Sequence, residues 1–122
     1  MAELYYTNVS ERQARLIFAY SQAKALNISD AMARYIMSIA RQGRGYAIDP
    51  HEEEFRRTVV KCVDQLMKSR REMVGTRNLP EKKTMDEVAK TLTDSFRKLC
   101  SFRSSYYLDK VKDDLDTMDS EK

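Results

Sequence analysis

A chain of 122 residues with 34% charged and 42% apolar residues, three Gly and no Trp has the composition of a helix-rich protein. Its length supports one domain, or two very small ones that need oligomerisation for a sufficient core. The formal charge of +3 is uneven, with six Lys/Arg against three Asp/Glu in residues 1–48 but five acids against one Lys in the last ten, and neither a membrane-length apolar run nor a charged-then-apolar leader is present, so a cytoplasmic protein without membrane insertion is expected.

Leu4 to Val9, rich in Tyr, Thr and Val, reads as one short strand. Each N–H or C=O of a lone strand costs roughly 1–3 kcal/mol if buried without a partner. The simplest remedy is a two-fold axis that pairs the strand with its own copy. Alternation then turns Tyr5, Thr7 and Val9 towards the helices and leaves Leu4, Tyr6 and Asn8 outward.

A first helix is expected from Ser10 to Leu26, with Ser10 as N-cap, Gln13 completing a capping box, and Ala14, Ile17, Phe18 and Ala25 at three-and-four spacing. Asn27 and Ile28 break the pattern. Ser29-Asp30 starts a second helix, which places Met32, Ile36, Ile39 and Ala40 on one face and stops at Gly43 and Gly45. Residues 46–50 form a hinge, because Asp49-Pro50 blocks helix continuation.

Glu52, Glu53 and Glu54 then complement the dipole of a third helix, whose stripe runs through Phe55, Val59, Cys62 and Leu66. A loop from Gly75 to Lys83 leads to Thr84 and Glu87, a further capping box, and to the stripe Val88, Leu92, Phe96 and Leu99. Two such helices make a hairpin that buries too little to stand alone, so these eight apolar residues are expected as an oligomerisation core over residues 51–108. Residues 109–122 read as an acidic, flexible tail. Cys62 and Cys100 lack CxxC spacing and are expected as reduced core residues, and His51 as a surface residue at a helix start. No Gly-rich phosphate loop, His/Cys metal cluster or nucleophile motif appears, so neither an enzyme nor a cofactor is expected.

The order of strand, helix and helix within residues 1–45, paired across a dimer, resembles the ribbon-helix-helix DNA-binding fold. That resemblance implies a mostly α protein with a two-stranded intersubunit sheet, whose ribbon enters the major groove of double-stranded DNA. Asn8 would then pair bidentately with adenine, and Tyr6 and Leu4 would contact neighbouring bases. Ser29, at the start of the second helix, would clamp a phosphate, with Arg12, Arg15 and Lys24 reaching the backbone. The whole chain also resembles the TraM-type relaxosome proteins of conjugative plasmids, through the strand ending YTNVSE, the segment ISDAMARYIMSIA and the stretch EEFRRTVVKCVDQLM. Leu4 stands where that family often has a Lys. The resemblance implies binding near a transfer origin, repression of its own promoter, a homodimer or homotetramer, and contact with a relaxase and a coupling ATPase. Two other readings stay open. One is a plasmid or phage repressor or antitoxin, and the other a helical adaptor or secretion chaperone, in which residues 4–9 form a disordered or capping arm.

Overall fold

A computed structural model describes residues 7–42, 50–72, 79–102 and 106–120. They form five helices: α1 (Glu11–Gln22), α2 (Asp30–Arg41), α3 (Pro50–Glu72), α4 (Lys82–Phe102) and α5 (Tyr106–Ser120). The first four make two helical hairpins, α1–α2 and α3–α4, and α5 packs on α2 and α4.

The expected ribbon is not formed. Leu4, Tyr5 and Tyr6 lie outside the described residues, and Thr7 to Ser10 have no regular structure; no strand or sheet exists among the described residues. The mostly α part of the expectation stands, and the ribbon-helix-helix part is overturned. The physical reason is a competitor for the same backbone group. The Thr7 N–H, which an intersubunit ladder would use, donates instead to the Glu53 carboxylate of α3, and the Thr7 hydroxyl donates to the other oxygen at 2.7 Å. Val9 inserts its side chain into the core of its own chain, with no exposure.

The caps of the first hairpin follow from residues beside them. Ser10 Oγ accepts from the Gln13 N–H at 3.1 Å and the Gln13 side chain accepts from the Ser10 N–H at 2.9 Å, a reciprocal capping box. Ser29 Oγ accepts from the Met32 N–H at 3.0 Å and starts α2. α1 ends at Gln22, four residues before the expected Leu26. There Lys24 takes the left-handed conformation at φ 60°, so that its N–H reaches the Ser21 carbonyl and the Ala25 N–H the Tyr20 carbonyl. This is a Schellman turn, made without the glycine that ordinarily marks one.

The second hairpin is capped across space. α4 begins at Lys82 rather than at Thr84. Ser69 of α3, a polar interruption in an apolar stripe, is buried, and its Oγ accepts from the Glu81 N–H at 2.9 Å. One hydroxyl thereby satisfies a donor at the start of the next helix.

Phe55, Val59, Cys62, Leu66, Val88, Leu92, Phe96 and Leu99 are each at most 1% exposed within the single chain. The two stripes expected to meet another subunit are covered by each other and by Tyr35 of α2, whose ring lies 5.8 Å from Phe55 and 5.4 Å from Phe96. Phe55 and Phe96 complete the triangle at 5.7 Å. Residues on both sides of the expected hinge thus share one core. Of the expected hinge, residues 46–49 lie outside the described residues and Pro50 begins α3. Most of the segment expected as a flexible tail, residues 109–122, lies in α5: Val111 and Leu115 are buried together with Leu108 just before it, and Asp109, Asp113 and Asp116 are exposed on other faces.

Candidate nucleic-acid interface

Two contacts fix the register of the first hairpin. Gln22 Nε2 donates to Asp30 Oδ1 at 2.6 Å, and the Arg34 guanidinium stands 5.6 Å over the Phe18 ring. The helices therefore run antiparallel with Gln22 level with Asp30 and Phe18 level with Arg34. Carrying that register along α1 brings Arg15 level with Met37, and Glu11 level with Arg41. Arg15, Phe18 and Gln22 are spaced i, i+3, i+7, and Asp30, Arg34, Met37 and Arg41 are spaced i, i+4, i+7, i+11, so both rows border one seam.

Arg12, Arg15, Arg34 and Arg41 are all exposed along this hairpin. The acids at the seam are neutralised in place: Glu11 pairs with Arg15 at 3.4 Å, and Asp30 with Arg34 at 2.6 Å. The Arg34 hydrogen bond, followed by that of Gln22, outweighs partial burial and holds the Asp30 carboxyl below its ordinary pKa. Arg12 and Arg41 have no ion pair among the described residues. Arg34 and Arg41, on the face of α2 opposite its apolar stripe, were not among the expected contacts; seven-residue spacing on that face is the signal that marks them.

The expected DNA contacts fare unequally. Leu4 and Tyr6 lie outside the described residues, and Asn8 is exposed on the arm between the docked Thr7 and the buried Val9. Arg12, Arg15 and Lys24 are exposed as a backbone contact requires. Ser29 is 2% exposed and its hydroxyl accepts from the Met32 N–H, so its side chain serves as the N-cap of α2. Asp30 beside it adds a carboxylate to the first turn of α2, bonded to Arg34.

The glutamate run serves the fold. Glu52 is buried with Arg56, which donates to it at 3.2 and 3.3 Å and to the Gln42 side chain at 2.8 Å, tying the end of α2 to α3. Glu53 holds the arm and Arg57, and Glu54 reaches Lys98 of α4 at 3.0 Å. Burial pushes the Glu53 carboxyl up, but the Thr7 N–H, the Thr7 hydroxyl and Arg57 together hold it below its ordinary value. His51 stacks face to face on Phe102 at 3.9 Å and 4°. Cys62 and Cys100 are free thiols; burial pushes Cys62 up to about 12 and also raises Cys100, so neither is an activated nucleophile.

Among the described residues no group of three His, Cys, Asp or Glu side chains is placed to hold a metal ion. No helix among them is long and apolar enough to cross a membrane. No protein-family model, curated protein or solved structure matches this chain.

Proposed function

We propose that this protein binds double-stranded DNA through the phosphate backbone, using the basic seam of the α1–α2 hairpin rather than a ribbon. The observation that carries the reading is the alignment of Arg15, Arg34 and Arg41 along one exposed seam whose two acids are already paired. Arg34 and Arg41 lie about 10 Å apart along α2, about three phosphate steps at 3.4 Å of rise per strand. Stacking on Phe18 holds the Arg34 guanidinium over the seam, which limits the side-chain entropy lost on contact. Contacts of this kind position a protein on a duplex without reading its sequence. Binding is therefore weak, general and salt-dependent.

Three full phosphate contacts set a limiting slope of log K against log salt of about −2.7, and a shallower slope is expected because Arg15 and Arg34 already share their charge with Glu11 and Asp30. Replacing Arg34 and Arg41 by Ala is expected to make that slope shallower by about one to two, measured by fluorescence anisotropy on a labelled duplex. No binding at about 50 mM salt, or an unchanged slope in the double variant, rejects the reading.

A second reading, a helical adaptor that does not touch nucleic acid, is favoured by the arm. Thr7 and Val9 cap the helices of their own chain, as an adaptor's arm would. Absence of duplex affinity in the same titration selects it.

A further inference from the structure

Acids neighbour both ends of the basic hairpin, but Glu52 and Glu53, beside the Thr7 and Gln42 end, are paired with Arg56 and Arg57, whereas α5 brings its acids to the turn end. α5 carries Asp109, Asp113, Asp114, Asp116 and Asp119 against Lys110 and Lys112. Its apolar residues Leu108, Val111 and Leu115 are buried, so α5 is held in place rather than tethered. Arg97 of α4 adds a 2.9 Å ion pair to Asp116. Asp114 lines a groove of about 320 Å³ whose opposite wall is the α1–α2 turn, including Lys24, Asn27 and Ser29. Lys24 and Asp114 form no ion pair among the described residues, yet they share this groove.

We infer that α5 orients the bound duplex: its carboxylates at the turn end of the hairpin keep DNA away from Lys24 and direct it to the Arg15–Arg41 end of the seam. The inference rests on the reading of the seam as a DNA-binding surface. Its physical basis is like-charge repulsion between phosphates and the Asp114 carboxylate in the groove, reinforced by Asp113 next to it in sequence, which acts within about 10 Å at moderate salt. Lys24 lies inside that range because it borders the same groove as Asp114. Arg12, Arg15, Arg34 and Arg41 line neither this groove nor the neighbouring one bordered by Leu115 and Met118. Of the five exposed cations of the hairpin, the acids therefore oppose Lys24 most directly.

Asp113→Asn/Asp114→Asn is the informative variant, since both side chains lie outside the apolar face of α5 and neither is hydrogen-bonded to another side chain among the described residues. It is expected to bind duplex about two- to fourfold more tightly than the wild type at low salt, with the difference disappearing at high salt. Adding Lys24→Ala should cancel that gain, whereas Lys24→Ala alone should leave wild-type affinity nearly unchanged. Asp64→Asn/Glu87→Gln, which changes net charge equally on α3 and α4, is the control. An equal gain in the control, no gain in the α5 variant, or a gain that survives Lys24→Ala overturns the inference while leaving the seam as the DNA site. If no protein in the set binds duplex, the seam reading and this inference fall together. Circular dichroism melts of every variant establish that the comparison is between folded chains.

Discussion

The two hairpins are built from opposite kinds of information. In α1–α2 the caps at Ser10, Gln13 and Ser29 act within three residues of themselves, and the exposed face is left to arginine. In α3–α4 the decisive groups act over distance: Ser69 caps the chain twelve residues later, Glu54 reaches Lys98, and Phe55 meets Phe96 beside Tyr35. The first hairpin is thereby free to present a surface, while the second supplies the platform beneath it. Tyr35 is one point at which they meet, beside the Gln42–Arg56 hydrogen bond and the packing of α1 on α3.

The largest test of this contrast is Phe96→Ala. Removing the ring that touches both Tyr35 and Phe55 is expected to cost about 3–5 kcal/mol in urea unfolding. Loss of the α1 and α2 signals in the same transition as α3 and α4 would sharpen the view that one core serves both hairpins. Two separate transitions would break it. Next comes Ser69→Ala, which leaves the Glu81 N–H without its acceptor and is expected to cost about 1–2 kcal/mol. Amide exchange should quicken in the first turn of α4 far more than anywhere in α1.

Lys24→Gly works in the other direction. A non-glycine residue at φ 60° carries strain of roughly 1 kcal/mol, so the glycine variant is expected to gain up to about that much in thermal stability. A loss instead would mean that the turn is not in the left-handed conformation. The smallest effect concerns the arm. Because the folded Glu53 pKa lies below its ordinary value near 4.5, its contribution is present above that value and lost as pH falls through the depressed one. Stability should therefore fall in that acidic window in the wild type, and less steeply in Glu53→Gln.

What was legible in the sequence follows the same division. The starts of α1 and α2 could be read because capping boxes and N-caps are local. The faces of Phe55, Leu66, Val88 and Phe96 could be read from their spacing, but the element that covers them could not, since periodicity records that a face is apolar and not what packs on it. Hence a core closed within the chain was expected as an interface between subunits. The arm was misread for a related reason. Tyr, Thr and Val favour extended backbone, but Thr7 to Val9 form no regular structure and the partner of Thr7 is a carboxylate 46 residues away rather than a second strand. In α5 the spacing of Leu108, Val111 and Leu115 was present, and the surrounding aspartates obscured it.

For the site, Arg12, Arg15 and Lys24 were legible as exposed cations, whereas Ser29 was not legible as buried. Arg34 and Arg41 gain their place from the register of two helices, which only the fold supplies.

The most direct examination of the seam is an amide chemical-shift titration of the full chain with a short duplex at low salt. Perturbations are expected along Glu11 to Phe18 and Arg34 to Arg41, with α3 and α4 unmoved. Shifts centred instead on His51, Phe102 or the outer face of α4, or no shifts at all, would contradict the account.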